Sequence, residues 1–193
     1  MFNHKHTDTI MNELLQSSEQ RIRRIRKEMI SSKMDALFVN HLPSIRYLTG
    51  FSGSSALLII KQDALYFFTN DLYEMQIKNE VYPIKGLSTF ITRSSIAEMA
   101  SRKILSKVKR LGVSEGSITH AMYKALTSAF PNVNMVSDAG IVQTINMQKM
   151  PHEVEHIRKA SKIASKVFQS IIKVIKPGIS EADIAAEISY QGR

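Results

Sequence analysis

The chain has 193 residues, a net charge of +9 and no cysteine. That length fills one core and at most part of a second. The hydrophobic share of 44% and charged share of 22% exclude a disordered chain, and the missing thiols exclude disulfides, thiol catalysis and cysteine-held zinc or iron–sulfur sites.

Residues 1–17 read as a flexible start. It is polar and lacks the apolar stretch of a signal peptide. No apolar run approaches the roughly 20 residues that span a bilayer, so a cytoplasmic protein without membrane contact is expected. A helix follows over Ser17–Met34, because Ile22, Ile25, Met29 and Ile30 recur at three- and four-residue spacing. Ser18 is placed to cap it, and Arg21, Arg23, Arg24, Arg26 and Lys27 fill the opposite, solvent-facing side.

Ala36–Val39, Ala56–Ile60 and Leu65–Thr69 are short apolar runs of strand length. The last two flank the polar Lys61-Gln62-Asp63 and read as a hairpin. A short helix is expected over Asp71–Asn79 and a strand over Val81–Ile84. A long helix follows over Ser95–Arg110, then a brief strand at Val113, a helix over Thr119–Phe130 and a strand over Val133–Val136. Helices alternating with buried strands predict an α/β layered domain, and the hairpin makes its sheet mixed.

From Pro151 an amphipathic helix is expected, with Val154, Ile157, Ala160, Ile163, Ala164, Val167, Ile171 and Val174 on one face. Pro151 suits the first turn, and Lys176-Pro177-Gly178 ends the helix. Ser180 and Asp183 then open a second helix with a capping box. This pair presents apolar faces without partners, which predicts that the chain stops inside a domain.

The charge of +9 could serve nucleic acid. The basic residues, however, are spread over several helices (a second group is Lys103, Lys107, Lys109 and Arg110), which favours solvated helix faces over a nucleic-acid footprint. The segment Leu48-Thr49-Gly50-Phe51-Ser52-Gly53-Ser54-Ser55-Ala56 fails as a nucleophile elbow, since Ser54 stands where Gly is needed. It also fails as a phosphate loop, since no Lys-Ser/Thr pair follows Gly53. A tight turn with close backbone approach is the better reading. His152 and His156, four apart with Glu153 and Glu155 between them, have metal-clamp spacing, but the apolar stripe through Val154 and Ile157 leaves the two rings to one side.

Three ordered motifs carry a family resemblance. The first is Leu42-Pro43-Ser44-Ile45-Arg46-Tyr47-Leu48-Thr49-Gly50-Phe51-Ser52-Gly53-Ser54. The second is Thr69-Asn70-Asp71-Leu72-Tyr73-Glu74-Met75-Gln76, and the third is Lys149-Met150-Pro151-His152-Glu153-Val154, continued by Lys176-Pro177-Gly178. Together they resemble the creatinase/prolidase/aminopeptidase P family of pita-bread metallopeptidases. The resemblance implies a three-layer α/β/α, ribonuclease H-like amino-terminal domain with a mixed sheet over residues 18–145. Residues 146–193 would then be a linker and the first helices of an incomplete pita-bread catalytic domain.

In that family two Asp, one His and two Glu hold two divalent metal ions (Mn, Co or Zn) that activate water against the bond before proline. The resemblance places all five ligands downstream of Arg193, so it implies no catalytic residue, metal ligand or cofactor in this chain, which alone is expected to be inactive. It also implies a homodimer formed through the amino-terminal domain and proline-containing peptides as substrates of the full enzyme. Tyr47, Phe51, Ser54, Asp71 and Tyr73 are the candidate substrate-access or interface residues. Asn70, Leu72 and Asn146 depart from the family's Asp, Arg and Arg, and Leu72 is expected to pack in the core. The rival readings are a stand-alone binding or assembly module and a basic nucleic-acid-binding domain.

Overall fold

The computed structural model describes residues 4–192. The chain divides into two compact units, Met1–Met147 and Gln148–Arg193. In the first unit, helix α1 (His4–Ser31) leads into strand β1 (Ala36–Val39), α2 (Leu42–Thr49) and the strands β2 (Leu57–Lys61) and β3 (Leu65–Thr69). A 3-10 turn at Asp71–Tyr73 continues into α3 (Glu74–Glu80), followed by β4 (Leu87–Ile91), α4 (Ser95–Ser101), β5 (Arg110–Val113), α5 (His120–Ala129), β6 (Asn134–Ser137) and α6 (Ile141–Met147).

Six strands form one sheet in the order β4-β3-β2-β1-β5-β6. β2 is antiparallel to both β1 and β3, and the remaining pairs are parallel. The period-two alternation of strand side chains splits the core. Leu37, Val39, Leu58, Ile60, Leu65 and Phe67 point to one face, where α1, α2, α3 and α6 cover them. Ala36, Phe38, Leu57, Ile59 and Phe68 point to the other, against Met99 of α4, Leu126 of α5 and the segment between α4 and β5. Every residue of β1 is buried, as a central strand covered on both faces requires. Burying each such side chain stabilises the fold by about 1.5–3 kcal/mol relative to leaving it exposed. The three-layer α/β/α arrangement with a mixed sheet is therefore observed.

Several local expectations are corrected. Residues 1–3 of the expected flexible start lie outside the described residues, and α1 already runs from His4, well before Ser17. Ser18 caps nothing. It is buried in mid-helix, and its hydroxyl donates to the Leu48 carbonyl. Arg21 is not solvated either. It is buried, donates to the Tyr47 carbonyl at 2.7 Å and lies 3.9 Å over the Tyr47 ring. Arg26 donates to the Lys61 carbonyl at 2.8 Å, and burial lowers its pKa against the opposing pull of Asp63. Ile30 is 66% exposed, because Met29 takes the core position and the next residue turns about 100° away.

The long helix expected over Ser95–Arg110 stops at Ser101. Lys103 adopts φ +53, the Ile104 N–H reaches the Met99 carbonyl and the Lys103 N–H reaches the Ala100 carbonyl. This is a helix-ending motif built on a lysine rather than glycine. The break leaves Ile104, Leu105 and Val108 buried against the sheet.

Val81–Ile84 is no strand. Pro83 has no N–H for a ladder, and the Tyr82 N–H bonds the Thr49 carbonyl instead. The strand is β4, an edge strand with only Leu87 and Phe90 partly buried, and its mixed pattern hides it from a search for apolar runs. α2 and α6 also form where no helix was expected. α2 has Pro in its first turn and ends on Gly50 at φ +85. α6 follows a turn in which the Gly140 N–H bonds the Asp138 carboxylate at 2.9 Å. Asp35 ties β1 to β5, accepting the Lys109 and Arg110 N–H groups at 2.8 and 2.9 Å. Those two backbone bonds lower its pKa.

The second unit consists of α7 (Pro151–Ile172) and α8 (Glu181–Gln191). Glu153 returns to accept the Met150 N–H at 2.7 Å at the start of α7, and Ser180 with Asp183 forms the expected capping box of α8. Ile163, Phe168 and Ile188 are exposed along an apolar groove of about 540 Å³.

Candidate interface site

The site is the loop after α2 and the helix it leans on. Gly50 ends α2 in the left-handed conformation, and its N–H bonds the Arg46 carbonyl at 2.8 Å. A Cβ there would stand 2.6 Å from the Glu80 carbonyl oxygen and 2.7 Å from the Tyr82 ring. Only glycine allows both the φ and this approach. Thr49 donates to the Ile45 carbonyl at 2.8 Å and accepts the Phe51 N–H at 3.3 Å, which sets where the chain leaves the helix.

Phe51 then turns inward and is 1% exposed. Its ring meets Phe67 edge-on at 5.1 Å and Tyr73 at 5.3 Å. A Cβ on Gly53 would lie 2.3 Å from the Phe51 ring and 2.8 Å from that of Tyr73, so the second glycine of the motif makes room for the aromatic pair. Above that pair, the Ser54 hydroxyl and the Tyr73 phenol are 2.7 Å apart.

Ser52 is held by Glu80 of α3. Its backbone N–H reaches the carboxylate at 2.7 Å and its hydroxyl at 2.8 and 2.9 Å. Gln76 donates to both Ser52 and Glu80 at 3.0 Å. The Ser52 N–H is the main reason that the Glu80 pKa is lowered. The Ser52 hydroxyl, Gln76 and the positive charge of Arg46 add to the effect, and burial opposes it. A depressed carboxyl pKa stabilises the fold above the unfolded value, and this contribution is lost as pH falls through the folded value. Wild-type protein should therefore lose thermal stability on acidification faster than Glu80→Gln, with the two melting curves converging once Glu80 is protonated. A constant separation at every pH would show that the charge of Glu80 does no work in the latch.

Of the five residues expected here, the structure brings Phe51, Ser54 and Tyr73 together. Tyr47 is partly buried on α2 beneath the Arg21 guanidinium. Asp71 is exposed at the start of the 3-10 turn. Leu72 does not pack in the core. It is 83% exposed, and Met75 beside it is 68% exposed, because the short turn directs Tyr73 inward and its neighbours outward. Ser52, Gln76 and Glu80 were not foreseen. Ser52 and Gln76 stand in the first and second motifs, and the four-residue spacing of Gln76 and Glu80 puts those two on one helix face.

The donor set does not fit a two-metal centre. Among the described residues no three His, Asp or Glu converge as metal ligands. The His152 and His156 rings stand edge to face at 6.3 Å, and Glu153 is committed to the helix cap. Among the described residues no helix is long and apolar enough to cross a membrane.

Fold and motifs thus define a creatinase-type amino-terminal domain followed by a helical pair. The Creatinase/Prolidase N-terminal domain model matches residues 21–148, and the model of Metallopeptidase family M24 matches residues 155–193. The chain belongs to the creatinase/prolidase N-terminal domain family. The uncharacterized peptidase YqhT of Bacillus subtilis (strain 168) is 30% identical over 161 residues, 83% of this chain and 45% of that protein. The Xaa-Pro dipeptidase from Bacillus anthracis superposes with a TM-score of 0.80 at 22% identity, covering 91% of this chain and 49% of that one. The N-terminal domain of the cytoplasmic peptidase PepQ from Mycobacterium tuberculosis H37Rv gives 0.58 at 26% identity, over 65% of this chain and 98% of that one. The chain spans about half the length of the curated relatives it matches.

Proposed function

We propose that this chain is the amino-terminal, non-catalytic portion of a cytoplasmic metallopeptidase that cleaves Xaa-Pro bonds. The observation that carries this reading is the tandem match, the creatinase/prolidase N-terminal domain model over residues 21–148 and then the M24 metallopeptidase model over residues 155–193. The Xaa-Pro dipeptidase and aminopeptidase names among its sequence relatives support this substrate class, and the name of the cytoplasmic peptidase PepQ supports the compartment. The two divalent ions (Mn, Co or Zn) would be held outside this chain, since its described residues offer no matching donor set.

Within this reading the amino-terminal unit serves homodimer contacts and walls off substrate access. Exposed Leu72 and Met75, either side of Tyr73 in its edge-on contact with Phe51, support an interface there, because neighbouring solvent-facing apolar side chains suit a partner. Incubating the chain with an Xaa-Pro dipeptide and manganese should give no hydrolysis above the metal-only control. Turnover that survives repurification would overturn the non-catalytic reading. Sedimentation of the same preparation should show a dimer, and a monomer at every concentration would remove the assembly role.

A further inference from the structure

The parallel strands β1, β3 and β4 finish along one edge of the sheet, and the antiparallel β2 begins there. A cleft of about 410 Å³ opens at this edge, within the size range of small-molecule sites, roughly 300–1,000 Å³. Its floor is apolar, made by Leu57, Phe68, Ile96 and Met122. Arg93 is the one charged side chain among the fifteen lining residues, and no carboxylate lies in the lining to neutralise it.

The rim is rich in hydroxyls, and they divide into used and unused. Thr69 donates to the Ser55 carbonyl at 2.7 Å, Thr92 receives the Ser94 N–H at 3.2 Å, and Ser54 is tied to Tyr73. Ser94 stands at the cap position of α4 yet makes no side-chain cap bond. The rim thus offers a guanidinium and a serine hydroxyl beside an apolar floor, with no competing acid.

We propose that this cleft binds a small amphipathic monocarboxylate. The planar guanidinium of Arg93 matches a carboxylate bidentately, the Ser94 hydroxyl can add a hydrogen bond to it, and the apolar body lies on Met122, Ile96 and Leu57. A single cation balances a single negative charge, and the apolar part of the lining suits the hydrocarbon body of a carboxylic acid. The site is separate from the aromatic pair of the interface loop, sharing only the Ser54 edge, and it does not depend on the peptidase reading.

The test is a titration of the full chain with N-acetylleucine, followed by amide and methyl NMR shifts. Saturable shifts are expected at Arg93, Ser94, Ile96 and Met122. The neutral N-acetylleucine amide should bind at least about tenfold more weakly, as should Arg93→Gln. Arg93 is exposed, so this variant should melt with the wild type. Arg93→Lys, which keeps the charge but loses the fork, should fall between them. No saturable shift, equal binding of the amide, or unchanged binding by Arg93→Gln would each overturn the proposal. So would saturation by a phosphate monoester with none by N-acetylleucine.

Discussion

Replacing Phe51 by alanine is expected to destabilise the first unit by about 3–5 kcal/mol, the usual cost of emptying a buried aromatic site. The ring sits between Phe67 and Tyr73 and is 1% exposed. Its loss removes burial and two edge-to-face contacts, each worth about 0.5–1.5 kcal/mol. The local backbone cannot collapse freely into the gap, because Ser52 is held by Glu80 and Ser54 by Tyr73. Chemical denaturation should report the loss, and thermal melting should show a fall of roughly 10 °C. Phe51→Leu should recover most of it. A cost for alanine under about 1 kcal/mol would mean that the loop is not anchored through this ring.

Gly50→Ala should rank next. A Cβ in the left-handed conformation costs about 1–2 kcal/mol, and here it also meets a backbone oxygen and an aromatic ring well inside contact distance. Overpacking of that kind adds about 1–3 kcal/mol. Gly116→Ala is the matched control, since nothing lies within 4 Å of a Cβ built there, and it should stay within about 0.5 kcal/mol of wild type. Equal effects at the two positions, measured by urea unfolding, would show that the close approach at Gly50 carries no cost.

The candidate site was legible only in part. Phe51, Ser54 and Tyr73 stand out because they lie in motifs with a family resemblance, and the structure places them in contact. Ser52 and Gln76 lie in the same motifs, but their joining with Glu80 was not visible, because Ser52 is 28 residues from Glu80 and 24 from Gln76 along the chain. Nothing local in a helical Gln-x-x-x-Glu spacing distinguishes a loop latch from a solvated helix face. Leu72 was misplaced for the converse reason. An apolar residue suggests burial, but burial depends on which way a three-residue turn points it.

Local chemistry written in the order of residues was enough to specify the alternating α/β plan, the β2–β3 hairpin, the glycine turn at Gly50–Gly53 and the two capped helices after Pro151. Each depends on interactions between residues a few positions apart. The face that each helix presents, and where a helix stops, needed the assembled core. Ser18 and Arg21 are bound to the turn of chain at Tyr47–Leu48, and their distance in sequence makes a buried anchor look like a cap and a solvated charge. α4 ends at Ser101, with Lys103 in the left-handed conformation, and this turn lets Ile104, Leu105 and Val108 lie buried against the sheet. β4 is a strand because β3 supplies its parallel partner. Hydrophobic periodicity records which side chains leave water, while the identity of what they pack against is a long-range property of the whole core.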